Sequence, residues 1–310
     1  MFGKAAAGAA LLAAAVVGLA AARAAEPEGG FVPVTGGRLH VVVLEPRSAP
    51  SGRTLLLLHG ASGNLRDMQE SIGERLAAHH RVILIDRPGH GYSDRLGGRP
   101  MASPRRQADA IAEALDRMKI GRAVVVGHSW SGALATNLAL DHPSKVSGLV
   151  LLSPATHPYP GGAAWYNSIA ATPVIGVAFA AMIRPVADSR FDDAMTSVFA
   201  PRPPPPDYVA RTEAKLLLRP AEFVANAEDL VDLKPFLRAQ APRYGAIRVP
   251  TVIITADRDT IVSPELHSRQ FHRQVRGSRL VVLEGAGHTP HWNATDRVVR
   301  EIDGVAAKAR

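Results

Sequence analysis

The chain has 310 residues, with 36 Lys and Arg against 28 Asp and Glu, a formal net charge of +8, a pI near 10.2 and no cysteine. That length suits one elaborated domain, and the missing cysteine excludes disulfides, thiolate metal sites, thiol nucleophiles and lipoprotein attachment, while leaving the redox compartment open. The positive charge is scattered, with no dense basic run and no interleaved aromatics, which argues against nucleic acid as a partner.

The first element is an 18-residue uncharged run, Ala5 to Ala22, preceded by Lys4 and followed by Arg23 and Ala24, so that small residues stand where a cleavage site needs them. Residues 1–25 therefore read as an export signal of a periplasmic or secreted protein. The alternative is an uncleaved helix that ties the N-terminus to a membrane.

The stretch "FVPVTGGRLHVVVLEP" then predicts two strands joined by a hairpin at Gly36-Gly37. "TLLLLHG" is an unbroken apolar run of the kind buried on both faces of a sheet. The same pattern returns at Arg81–Asp86, Arg122–His128, Val146–Pro154, Pro250–Asp257 and Ser278–Gly285. Helical patterns alternate with these runs; in "SPRRQADAIAEALDRMKI" the residues Ala108, Ile111, Leu115 and Met118 follow one helix face. Strands alternating with helices imply an α/β fold with a mostly parallel sheet covered on both sides.

One segment, about 157–248, holds helical stretches but no strand and is interrupted by "APRPPPPDY". An all-helical insertion after one strand of a parallel sheet is expected to cap the carboxyl ends of the strands, where such sheets bind ligands. Its apolar residues, among them Trp165, Ile169, Val174, Ile175, Val177, Phe179, Met182 and Ile183, suggest a lipophilic acyl or alcohol group in the substrate, and they equally suit a helix packed on a core.

The chemistry centres on "GHSWSG", Gly127 to Gly132, between an apolar run and a helical pattern. A serine hydroxyl is a poor nucleophile unless a base takes its proton and the oxygen projects clear of the backbone. A sharp strand-to-helix turn does the second, provided the residues two before and two after are small; here these are Gly127 and Ser131, the latter a departure from the glycine of G-x-S-x-G. The required base and acid stand past the last two predicted strands: His288 in "EGAGHTPHW", a glycine-rich loop that leaves its ring free to swing, and Asp257 or Asp259 in "TADRDTIV".

With "HGASGN", "DRPGHGYSD", "GHSWSG", "DRDTIVSP" and "GAGH", the sequence resembles the α/β-hydrolase family over roughly residues 31–305. The resemblance implies an eight-stranded-type sheet flanked by helices in a domain spanning 26–310. It favours Asp259 over Asp257, giving Ser129, Asp259 and His288 as the catalytic residues and the N–H groups of Ala61 and Trp130 as the oxyanion hole. It makes His59 a structural residue of the "HG" turn, and sets Asp86, Gly89, Gly91 and Ser93 in a loop shaping the pocket floor. Epoxide hydrolases and haloalkane dehalogenases of this fold carry aspartate where Ser129 stands, so serine points to acyl transfer. The expected activity is hydrolysis of a small-molecule carboxylic ester. Cofactor-free haloperoxidase or perhydrolase, C–C bond hydrolase and thioesterase remain alternatives with the same triad, as does a non-catalytic binding protein. No H-x-x-x-H, H-E-x-x-H or P-loop spacing appears, so neither a metal nor a cofactor is expected. Nothing in the sequence sets the oligomeric state.

Overall fold

The computed structural model describes residues 27–46 and 53–309; the expected signal or anchor at residues 1–25 lies outside the described residues. Each apolar run becomes a strand: β1 (Gly30–Val34), β2 (Gly37–Leu44), β3 (Thr54–Leu58), β4 (Arg81–Ile85), β5 (Ala123–His128), β6 (Val146–Leu152), β7 (Thr251–Ala256) and β8 (Arg279–Leu283). They form one sheet in the order β1-β2-β4-β3-β5-β6-β7-β8. β1 and β2 make the expected antiparallel hairpin, β2 runs antiparallel to β4, and every pair from β4 to β8 is parallel.

The unbroken apolar runs follow from burial on both faces. In β3, Leu56 and Leu58 enter one core and Leu55 and Leu57 the other; β4 divides Ile83 and Ile85 from Val82 and Leu84 in the same way. A leucine buried so fully contributes roughly 1.5–3 kcal/mol. On the first face lie the helices Pro104–Arg117 and Ser131–Asp141, and on the second lies Thr295–Lys308. Ser103 caps the first of these by accepting from Arg106 N–H, with Pro104 at its opening position.

The topology positions the site. After β3 the chain adds β4 on one side and then returns to place β5 on the other, so the loops leaving β3 and β5 part at their carboxyl ends and leave a crevice. Between β6 and β7 the chain contains helices and turns only. The sequence pattern predicts one helical stretch near 164–183; the structure breaks it into Trp165–Ala170 and Ile175–Ser189, with Pro173 and a left-handed Val174 (φ +72°) between them. The longest helix of this insertion, Pro220–Gln240, carries Pro235 inside it.

Candidate active site

Ser129 follows β5 directly and sits at φ +51°, a left-handed conformation that costs a non-glycine residue on the order of 1–3 kcal/mol. The turn is pinned on both sides: Ser129 N–H donates to Leu152 O at 2.9 Å, and Ser129 O accepts from Ala155 N–H at 3.0 Å. Space around it is minimal. A Cβ on Gly127 would come within 2.5 Å of Ser131 O, and one on Gly132 within 2.5 Å of Pro154 Cβ. Ser131 replaces glycine without collision because its hydroxyl turns away and donates to His59 O at 2.5 Å. The close approach that needs glycine has moved one residue along, to Gly132.

Asp259 and His288 reach this serine from the loops after β7 and β8. His288 Nδ1–H donates to Asp259 Oδ2 at 2.9 Å, which leaves Nε2 as the acceptor for the Ser129 hydroxyl, also at 2.9 Å. The second Asp259 oxygen accepts from the N–H groups of Ile261 and Val262, each at 2.9 Å. Burial alone would raise this carboxyl, but the hydrogen bond and charge of His288 and the two N–H groups hold it below its usual range. The loop does not leave the imidazole free to swing. Both ring nitrogens are engaged, and His128 Nε2–H donates to the His288 carbonyl at 3.0 Å. Asp257 lies outside this group and accepts from Gly285 N–H at 2.7 Å.

Ser129 and His288 open onto a cavity of about 610 Å³ whose walls come from the loops after β3, β5, β7 and β8 and from the helical insertion. Ala61 and Trp130 both line it, and neither N–H has a hydrogen-bond partner among the described residues. Met195, Val198, Leu230, Leu233, Ile261 and Val262 make much of the wall apolar, and among the described residues no lysine or arginine lines it.

A family model described as the alpha/beta hydrolase family matches residues 55–301. The chain belongs to that family. It is 27% identical to a 2-hydroxy-6-oxo-6-phenylhexa-2,4-dienoate hydrolase of Burkholderia cepacia, over 86% of this chain and 92% of the relative. It is 28% identical to a pimeloyl-[acyl-carrier protein] methyl ester esterase of Neisseria meningitidis, over 84% and 98% of the two chains. Among solved structures, an esterase from Exiguobacterium antarcticum superposes with a TM-score of 0.71 at 22% identity, covering 90% of this chain and 99% of its own, a likeness of fold.

In this alpha/beta hydrolase the remaining motif residues act as scaffold. His59 donates from Nδ1 to Gly60 O and accepts Arg87 N–H on Nε2; burial and the Arg87 charge push its pKa down to about 4, so it is neutral. Asp86, Gly89, Gly91 and Ser93 do not line the cavity, in contrast to the pocket-floor reading. Asp86 instead accepts from His40 Nδ1, Leu65 N and Tyr92 N, and Ser93 Oγ bridges Asp86 O and His40 N, binding the loop to β2. The eight apolar residues named in the insertion, which left a lipophilic substrate and core packing open, are likewise absent from the cavity wall. Trp165, Val174, Ile175, Val177 and Met182 are exposed, and Ile169, Phe179 and Ile183 are half-buried.

Sequence reasoning missed two groups. Arg87, fully buried, donates to Asp229 Oδ2 at 2.6 Å and lies 4.1 Å from the centroid of the Trp130 ring, whose Nε1–H donates to Asp229 O. The Trp130 ring is thus core, locked to the helix Pro220–Gln240, while its backbone borders the cavity. From that helix Asn226 accepts Ser62 N–H at 2.7 Å, which fixes the Ala61 loop. The partners are 142 and 164 positions apart, and no local pattern announces them.

The second group is Asp67, His128 and His291, buried and with one potential ligand atom each within 4.8 Å of one another. Asp67 accepts from His291 Nε2 at 3.0 Å, Trp292 Nε1 at 2.8 Å and Tyr208 OH at 3.0 Å. The burial of Asp67 opposes its charge, yet the His291 charge and hydrogen bond hold the carboxyl far below its usual range. These three residues could coordinate a cation, although three donors already occupy the Asp67 oxygens. His128 is pushed well below its usual pKa by burial and by the neighbouring His291 and His288, and is neutral.

Proposed function

We propose that this protein is a serine carboxylic-ester hydrolase working through an acyl-enzyme. The observation that carries the reading is the continuous chain from Ser129 Oγ through the His288 ring to Asp259, two contacts of 2.9 Å on the wall of a largely apolar cavity. His288 Nε2 takes the Ser129 proton as the oxygen attacks the ester carbonyl, while Asp259 holds the ring by its Nδ1–H and stabilises the imidazolium that forms. The unpartnered N–H groups of Ala61 and Trp130, together with the amino end of the helix Ser131–Asp141, stabilise the oxyanion. His288 then protonates the leaving alcohol and activates water for deacylation.

A neutral ester suits this cavity better than a carboxylate-bearing dienoate of the kind named for the Burkholderia cepacia relative. An anionic substrate needs a cation for its carboxylate, and no lysine or arginine among the described residues stands on the wall. The test is Ser129→Ala assayed with p-nitrophenyl esters and a fluorophosphonate label. Turnover and labelling should both disappear while the melting temperature stays within a few degrees of wild type. Full turnover in the variant would end the proposal.

A further inference from the structure

Seven of the eight large apolar side chains exposed among the described residues lie between 165 and 186, on the outer side of the helical insertion. Trp165 is 70% exposed, Met182 71% and Val174 96%. The helix Ile175–Ser189 has a proper inner face, with Gly176 and Ala180 buried and Phe179 and Ile183 half-buried, but its outer face repeats the pattern with Ile175, Ala178, Met182 and Val186 at helical spacing. A helix apolar all round is ordinarily buried all round. Val174 adds to this: a β-branched residue is held at φ +72° and gains no burial for it.

The charge pattern is equally one-sided. From Gly161 to Ala187 the only charged residue is Arg184, which has no ion-pair partner among the described residues. The next carboxylate, Asp188, is paired with Lys215 at 2.7 Å. Trp165 and Tyr166, with an apolar body and a polar edge, are the side chains favoured where hydrocarbon meets water. The same segment borders the cavity, because Gly162, Ala163, Ala164 and Asn167 line it on either side of Trp165 and Tyr166.

From these observations we infer that the outer face of residues 165–186 docks on the surface of a phospholipid bilayer. Its aliphatic side chains enter the acyl boundary, Trp165 and Tyr166 sit at headgroup level, and Arg184 meets anionic headgroups. No helix among the described residues is long and apolar enough to cross a membrane, so the contact lies along the surface. A second copy seated here would cover the segment beside the cavity. A bilayer would instead put lipid-dissolved esters next to it, a consequence that rests on the ester-hydrolase reading, whereas the docking itself does not.

The test uses full-length protein and vesicles of phosphatidylcholine and phosphatidylglycerol with brominated acyl chains, which quench tryptophan on contact. Trp130 is buried and Trp292 half-buried, so Trp165 is the reporter, and Trp165→Phe shows which part of the signal belongs to it. Quenching of the Trp165 emission is expected, together with its loss in the double variant Met182→Asp, Val186→Asp. In that variant, hydrolysis of a vesicle-dissolved ester should fall by roughly tenfold or more, with turnover of a soluble p-nitrophenyl ester unchanged. Trp165 emission indifferent to the vesicles would overturn the inference, as would quenching that survives the double variant. So would a solution dimer that the double variant dissociates while vesicles leave Trp165 unaffected, which would assign the face to a second copy. Absence of soluble-ester turnover with Trp165 quenching intact would count against the ester-hydrolase reading alone.

Discussion

Two histidine–aspartate pairs have their histidines three residues apart in the chain and look alike at first. His288 donates to Asp259 at 2.9 Å and His291 to Asp67 at 3.0 Å; all four are buried, and in both pairs the carboxyl is held below its usual range. The difference lies at the second ring nitrogen. His288 Nε2 meets a serine hydroxyl on the cavity wall, whereas His291 Nδ1 is buried with no hydrogen-bond partner among the described residues. A paired imidazole becomes a base only where its free nitrogen faces a proton that substrate can replace. The second pair instead anchors the short helix Pro290–Asn293, and so the turn that carries the first.

The sharpest way to break that contrast is Asp259→Asn. An amide at 259 offers His288 a donor in place of an acceptor and favours the tautomer with the proton on Nε2, where it cannot accept from Ser129. Ester turnover should fall about 10³–10⁴-fold, measured as kcat on a soluble ester, with KM little changed. A loss smaller than tenfold would remove Asp259 from the proposed mechanism and make its role structural.

Asp67→Asn probes the other pair, with a smaller effect on turnover and a larger one on folding. The amide has one oxygen for the three donors of His291, Trp292 and Tyr208, and the donors left over stay buried. Removing one member of a buried charged network destabilises by about 3 kcal/mol, which chemical denaturation would read. A shift of the His288 turn by a fraction of an ångström should lower kcat between about tenfold and a hundredfold. Wild-type stability and kcat in this variant would show that the second pair anchors nothing.

The same contrast explains how much of the molecule is legible in its sequence. Ser129 and Asp259 follow parallel strands buried along their whole length, and His288 follows the parallel edge strand β8; all three strands announce themselves as short apolar runs, so the chain order of the residues and their common edge can be read directly. His291 and Asp67 are 224 positions apart, on short helices whose pairing depends on how far each projects beyond the sheet. Arg87 and Asp229 are hidden for the same reason. The outer residues of Ile175–Ser189 mislead for a different one: where both faces of a helix are apolar, periodicity cannot separate inside from outside. Ile175 and Met182 therefore read equally well as substrate contacts or as core although they are exposed.

A third buried carboxylate completes the comparison and gives the smallest expected effect on turnover. Glu222 accepts only Gly91 N–H, at 3.0 Å, and its Oε2 has no partner among the described residues. With one donor in place of three, burial prevails, helped by the nearby Asp86 charge, and the pKa is pushed up to about 8. The folded protein then keeps a proton that the unfolded chain releases near its ordinary pKa of 4.5, so stability is complete below that value and is lost as pH rises towards about 8. Glu222→Gln keeps the acceptor for Gly91 and cannot ionise. Between about pH 5 and about pH 8, wild type should lose about 3 kcal/mol relative to this variant, with turnover at neutral pH changed less than about twofold. Melting curves of the two proteins that run parallel across that window would mean that Glu222 is already ionised in the folded state, and that the number of donors does not decide the charge of a buried carboxylate here.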